Sequence, residues 1–149
     1  ALSKVTVYLS KKMARDGEGA TKLIECNVTG ASDEYTAQKI SKSVISSDLF
    51  KAAMFGADAN WGRVLCAIGY TEGDFAVDNI DVTMSSAKGS VTVCKASEAA
   101  EYSEDKATEI LSEEELVIDI NMNQGEAAAS AWGCDLTYDY VKINGDYRT

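Results

Sequence analysis

Leu2, Val5, Leu9 and Met13 recur at helical spacing, with Lys4, Lys11, Lys12 and Arg15 largely off that line. The pattern predicts an amphipathic helix that ends at Gly17. From Thr21 to Thr29 the period drops to two, with Ile24, Cys26 and Val28 on one face and Glu25 and Asn27 on the other. That is a strand, closed by Gly30. Ser32 is placed to cap a second helix, with Asp33 and Glu34 in its first turn and Ala37, Ile40 and Val44 as its apolar stripe. Ser46-Ser47-Asp48 reads as a break and restart, and Leu49, Ala52 and Ala53 carry a short helix to Gly56.

An apolar stretch, Val64 to Tyr70, follows the cluster Asp58-Ala59-Asn60-Trp61-Gly62-Arg63, which marks a helix or strand start. Trp61 fits a core or interface plug there. Arg63 fits a carboxylate partner, a loop clamp or an anion contact. Thr71 to Asp78 reads as a loop. Ile80–Met84 and Ser90–Lys95 form a predicted hairpin. Ser103 caps a helix through Leu111, and Leu116, Ile118, Ile120 and Met122 alternate along a strand that turns at Asn123-Gln124-Gly125. Ala127 to Ile143 reads as one long extended run. Trp132, Cys134, Leu136, Tyr138 and Tyr140 share one face of it, and Asp135, Thr137 and Asp139 the other. Asn144-Gly145 is a turn signal. The order predicts one α/β unit of 149 residues, a two-layer sandwich of helices on a mixed β-sheet.

Charge and composition narrow the chemistry. A net charge of −10 argues against nucleic acid, whose binding depends on neutralising phosphates. Much of that charge is local, because Glu98 to Glu115 holds eight acidic residues against Lys106 alone. A solvated helix face accounts for such a run. No apolar run approaches the roughly 20 residues that span a bilayer, and no secretory h-region is visible, so no membrane partner is expected. Cys26, Cys66, Cys94 and Cys134 are scattered without a Cys-x-x-Cys pair, as in reduced thiols of a cytoplasmic protein. The chain has no histidine, which removes Ser-His and Cys-His catalysis and most zinc sites. It opens at Ala1 rather than Met, as expected of a processed product or a fragment.

The loop Arg15-Asp16-Gly17-Glu18-Gly19-Ala20-Thr21-Lys22 places one carboxylate between two glycines, where a helix pattern gives way to a strand pattern. Glycine permits a sharp turn and close approach of another group. The loop is read either as a helix C-cap with a solvated turn or as a presentation of Glu18. A phosphate-binding loop runs from strand to helix, and here the order is reversed. A calcium loop needs more oxygen ligands than Asp16 and Glu18 supply.

Three motifs taken together are more specific. Arg15–Lys22 (RDGEGATK), Asn60–Arg63 (NWGR) and Trp132–Thr149 (WGCDLTYDYVKINGDYRT) resemble, in order and spacing, the C-terminal portion of the ornithine acetyltransferase family, the glutamate N-acetyltransferases of arginine biosynthesis. The resemblance covers essentially the whole chain. It implies a precursor that cleaves itself before a threonine, giving α and β chains that assemble as an α2β2 heterotetramer. The new N-terminal Thr takes acetyl from N-acetylornithine and passes it to glutamate, and its own α-amine can serve as the general base. Some members also accept acetyl-CoA. No other cofactor and no metal is implied.

The resemblance places the nucleophilic Thr outside this sequence and makes this chain the substrate-holding part of a β chain, inactive alone. It carries substrate binding onto Glu18, Asn144 and Thr149. A carboxylate, an amide and a hydroxyl suit the ammonium, amide and carboxylate of an amino-acid substrate. It also implies that residues 1–22 pack on the rest of the precursor, while 23–149 form a lobe over the substrate. Ala59 departs from the family, which has proline before Asn-Trp-Gly-Arg. Asn144 also reads as a turn residue, and Thr149 as a frayed end. The alternatives are a non-catalytic amino-acid-binding or assembly module and a self-cleaving aminopeptidase.

Overall fold

The computed structural model describes residues 2–147. Helix α1 (Leu2–Arg15) leads through the glycine loop into β1 (Leu23–Ala31). Three helices follow, α2 (Glu34–Ser46), α3 (Asp48–Phe55) and α4 (Trp61–Gly69), then β2 (Asp81–Ser86), β3 (Gly89–Lys95) and a short β4 (Glu98–Ala99). Helix α5 (Glu104–Leu111), β5 (Glu115–Asn121), β6 (Ala127–Cys134) and α6 (Tyr138–Asp146) complete the described chain.

The strands form one mixed sheet in the order β4-β3-β2-β5-β1-β6. At its centre β1 and β5 run parallel, Leu23 opposite Glu115 and Val28 opposite Ile120. A parallel pair needs a long crossover, and the segment from α2 to α5 provides it. The flanking strands β2 and β6 are antiparallel to β5 and β1 respectively.

Alternation along the central strands decides which face is covered. Ile24, Cys26 and Val28 of β1 and Leu116, Ile118 and Ile120 of β5 are buried, packed with Ala37, Ile40 and Val44 of α2 and Ile110 and Leu111 of α5. Each such Ile or Leu contributes about 1.5–3 kcal/mol by leaving water. The intervening Glu25, Asn27 and Asp119 face the other way. Helix α1 lies on that second face, where Lys11 pairs with Glu25 at 2.5 Å. The two-layer α/β sandwich is therefore as the pattern predicts, with α1 as the element on the far side.

Polar caps set the helix starts. Ser47, Asn60 and Ser103 accept the backbone N–H of Phe50, Arg63 and Lys106. Two expectations are corrected. Asp33, not Ser32, caps α2, because its carboxylate reaches the Thr36 N–H. The extended run predicted to Ile143 stops at Cys134, and Tyr138–Asp146 is helical. The Asn144-Gly145 turn signal thus falls inside α6. Pairing with β1 ends just past Asp135, whose N–H donates to the Lys22 carbonyl and whose carboxylate takes the Thr21 and Lys22 N–H groups, because the Leu136 N–H donates instead to the Lys51 carbonyl. Thr137 then accepts the Tyr140 N–H and starts the helix.

Candidate substrate site

The glycine loop is folded by its own backbone before any side chain contributes. Asp16 N–H donates to the Lys12 carbonyl and Ala20 N–H to the Gly17 carbonyl, closing α1 and turning the chain. Gly19 takes a φ of +66°. A Cβ at Gly19 would also stand 2.9 Å from both Cβ of Asp139 and the backbone nitrogen of Tyr140. Only glycine meets both demands, so the loop lies directly against the start of α6.

Two side chains after β6 hold it there. Asp135, 3% exposed, accepts the Thr21 and Lys22 N–H groups on Oδ1 at 2.8 and 2.9 Å and the Thr21 hydroxyl on Oδ2. Bonds to an ionised acceptor are stronger than neutral ones, and this one is shielded from water. Thr137, 5% exposed, donates its hydroxyl to the Gly19 carbonyl at 2.7 Å while accepting the Tyr140 N–H at 3.2 Å. The Phe55 and Tyr138 rings meet perpendicular to one another with centroids 5.5 Å apart.

Lys22 secures the strand end of the loop from beneath. Its buried ammonium donates to the carbonyls of Met54 and Leu111 at 2.6 and 2.7 Å, at the C-terminal ends of α3 and α5. Helix C-termini attract cations through their unpaired carbonyls. Burial lowers the Lys22 pKa, and Asp135 partly opposes that shift.

On this frame Glu18 and Asn144 meet. Asn144 Nδ2 donates to Glu18 Oε2 at 2.7 Å and to the Tyr140 carbonyl at 3.0 Å. The pair is exposed, and it joins residues far apart in sequence. One oxygen of the carboxylate is oriented by an amide, and the other is open to a cationic or N–H donor. Thr149, the third sequence-predicted position, lies outside the described residues. Sequence reasoning brought out Glu18 and Asn144 and missed the roles of Asp135 and Thr137. Their signal was present, in polar residues alternating with apolar ones beyond β6, but solvated carboxylates give the same pattern.

The Asn60–Arg63 cluster is local scaffolding. Asn60 caps α4 and also donates to Asp58, and Arg63 donates to the Leu49 carbonyl at 2.7 Å. Arg63 thus ties the first turn of α4 to the first turn of α3 rather than clamping a loop. Trp61 is half-buried against the core, and Ala59 is buried. All four cysteines are free thiols, with Cys26 and Cys94 buried and Cys66 exposed. Burial raises the Cys26 pKa far above the usual thiol range. Among the described residues no cluster of three or more His, Cys, Asp or Glu side chains is arranged to hold a metal, and no helix is long and apolar enough to cross a membrane.

A mixed α/β sandwich that brings a carboxylate on a glycine loop against an amide on its last described helix defines the class. Residues 1–149 match the ArgJ family over their whole length. The chain is 51% identical over 149 residues to the arginine biosynthesis bifunctional protein ArgJ of Caldanaerobacter subterraneus subsp. tengcongensis, covering 100% of this chain and 37% of that protein. It is 50% identical over 149 residues to the protein of the same name from Geobacillus kaustophilus, covering 100% of this chain and 35% of that protein. A crystal structure of arginine biosynthesis bifunctional protein argJ from Bacillus halodurans matches with a TM-score of 0.91 and 46% identity, over 98% of this chain and 67% of that one. This chain belongs to the ArgJ family. It spans little more than a third of the length of the curated relatives it matches.

Proposed function

We propose that this chain is the substrate-holding part of the β subunit of a glutamate N-acetyltransferase. The observation that carries the reading is the Glu18–Asn144 hydrogen bond at 2.7 Å, which joins two of the three positions the family resemblance marks for substrate. In the proposed reaction a threonine hydroxyl outside these residues attacks the acetyl carbonyl of N-acetylornithine. The amide C–N bond breaks, ornithine leaves with a proton, and an acetyl-threonine ester remains. The amine of glutamate then attacks the ester, forming N-acetylglutamate and releasing the hydroxyl.

The role of this chain is binding and orientation. The carboxylate of Glu18 accepts from a cationic or N–H group of the amino-acid substrate, and Asn144 fixes its direction. Holding the reacting groups in place makes the transfer effectively intramolecular. Thr149 is proposed as a further substrate contact. The same reading includes an α2β2 assembly formed after self-cleavage, a cytoplasmic setting, and acetyl-CoA as an optional acetyl donor.

Helix α1 supports the assembly part of the proposal. It has no buried residue, and Leu2, Val5, Leu9 and Met13 are 77%, 54%, 51% and 77% exposed. An apolar stripe of that length is expected to be covered. In this reading α1 and the Glu18 loop pack on the remainder of the protein, and residues 23–149 form the lobe over the substrate. The test is the first half-reaction. The complete protein is mixed with N-acetylornithine alone and the β subunit is weighed by intact mass spectrometry. A gain of one acetyl group on its N-terminal threonine is expected. Stoichiometric release of ornithine with no acetylated species on the β subunit would overturn the mechanism.

A further inference from the structure

The Glu18–Asn144 pair has parents on two separate elements. Glu18 belongs to the loop after α1, and Asn144 sits near the end of α6, a helix with no buried residue of its own. Such a helix has little packing to fix its position, so its placement over the loop depends on directed bonds. One hydroxyl supplies the joint. Thr137 Oγ1 accepts the Tyr140 N–H, which starts α6, and donates to the carbonyl of Gly19, the residue after Glu18. Both bonds converge on a group that is 5% exposed. Asp135 pins the next turn of the loop through the Thr21 and Lys22 N–H groups, so the hinge between loop and helix narrows to Thr137.

We infer that Thr137 is a positioning residue of the substrate site, whose hydroxyl sets the separation of Glu18 and Asn144 by tying the loop carbonyl to the first turn of α6. Its effect on substrate rests on the reading of Glu18 proposed above. Threonine suits the task because a hydroxyl both donates and accepts, whereas a carboxylate in the same place would only accept. Serine retains both bonds. Valine keeps the shape and loses both, leaving the Gly19 carbonyl and the Tyr140 N–H without that partner.

The experiment uses the complete protein carrying Thr137→Ser, Thr137→Val, Glu18→Gln and the Thr137→Val/Glu18→Gln double substitution. Steady-state kinetics with N-acetylornithine and glutamate are measured beside backbone amide exchange over residues 17–22 and 138–146. Thr137→Val is expected to raise KM for the amino-acid substrate roughly tenfold, with kcat changed less than about threefold, as loss of one or two hydrogen bonds implies. Thr137→Ser is expected to restore the wild-type KM. In the Glu18→Gln background the Val substitution should add little, because its effect passes through Glu18. Exchange over both segments should accelerate in the Val variant and not in the Ser variant.

Unchanged exchange in Thr137→Val, or a KM rise that persists undiminished beside Glu18→Gln, would overturn the inference. Accelerated exchange with normal kinetics in both Thr137→Val and Glu18→Gln would uphold the joint and instead overturn the assignment of Glu18 to substrate. Should the Val variant fail to fold, Thr137→Ala removes the same hydroxyl without the added methyl.

Discussion

At the residue scale, the site is a carboxylate whose direction is set by an amide. Replacing Glu18 by Gln keeps the shape and an acceptor oxygen but removes the charge. Because Glu18 is exposed, folding should be unaffected, whereas binding of a cationic or N–H substrate group should weaken by about 1.5–3 kcal/mol, the range of hydrogen bonds to charged groups. The measurement is KM in the complete protein with its melting temperature as control, and an unchanged KM would remove Glu18 from the site. Lys22 shows the opposite logic, since its ammonium is buried and fully committed to the carbonyls of two helix ends. It acts on the fold, and through the fold on the loop.

At the element scale, the loop between α1 and β1 is legible in the sequence and α6 is not. Gly17, Glu18 and Gly19 announce a turned segment that presents a carboxylate, and Gly19 does adopt a positive φ. In contrast, Trp132 through Tyr140 keep a period of two past the real strand end, and their aromatic content favours a strand. The helix is decided by tertiary bonds that no local pattern reveals: Leu136 to Lys51, Asp135 to Thr21 and Lys22, and Thr137 to Gly19. A strand pattern without a partner strand beyond Cys134 has no ladder to join. The Asn144-Gly145 turn signal is overridden in the same way, and α6 carries Gly145 where a Cβ would meet nothing within 4 Å. The close fit of loop and helix yields a prediction. Gly19→Ala should destabilise by about 1–3 kcal/mol, from φ strain and the clash with Asp139 and Tyr140. Chemical denaturation would show it, and a variant as stable as wild type would contradict the close approach.

At the scale of the whole molecule, one face of the sheet is closed by α2 to α5 and the other carries polar residues and the exposed stripe of α1. Leu9 is itself half-exposed within this unit, so Leu9→Asp should cost the unit little on its own. In the complete protein it should nevertheless lower the melting temperature, because the proposed partner surface would have to bury a charge. An unchanged melting temperature would mean that α1 faces water. The same polar face sets the acid limit of stability. Burial pushes the Glu25 and Asp81 carboxyls up, but the donors facing them, Lys11, Trp132 and Asn27 for Glu25 and Lys95, the Ala96 N–H and Asn123 for Asp81, together with the lysine charges, outweigh it and hold both below their usual 4.5 and 3.8. Their stabilising contribution is therefore complete above those values and lost as pH falls through the lower, folded ones. Unfolding followed from neutral to strongly acid pH should show stability falling only below about pH 4.5, and a loss beginning near neutrality would point to other groups.

The reaction proposed for the complete protein is acetyl transfer with the amino acid held by the Glu18 loop. The direct measurement supplies the complete protein with N-acetylornithine and isotope-labelled glutamate and reads the product by mass spectrometry, wild type beside Glu18→Gln. Labelled N-acetylglutamate from the wild type, and a strongly reduced rate from the variant at subsaturating substrate, is the expected result. No labelled product from an intact, self-cleaved wild-type protein would contradict the account and leave an amino-acid-binding or assembly module in its place.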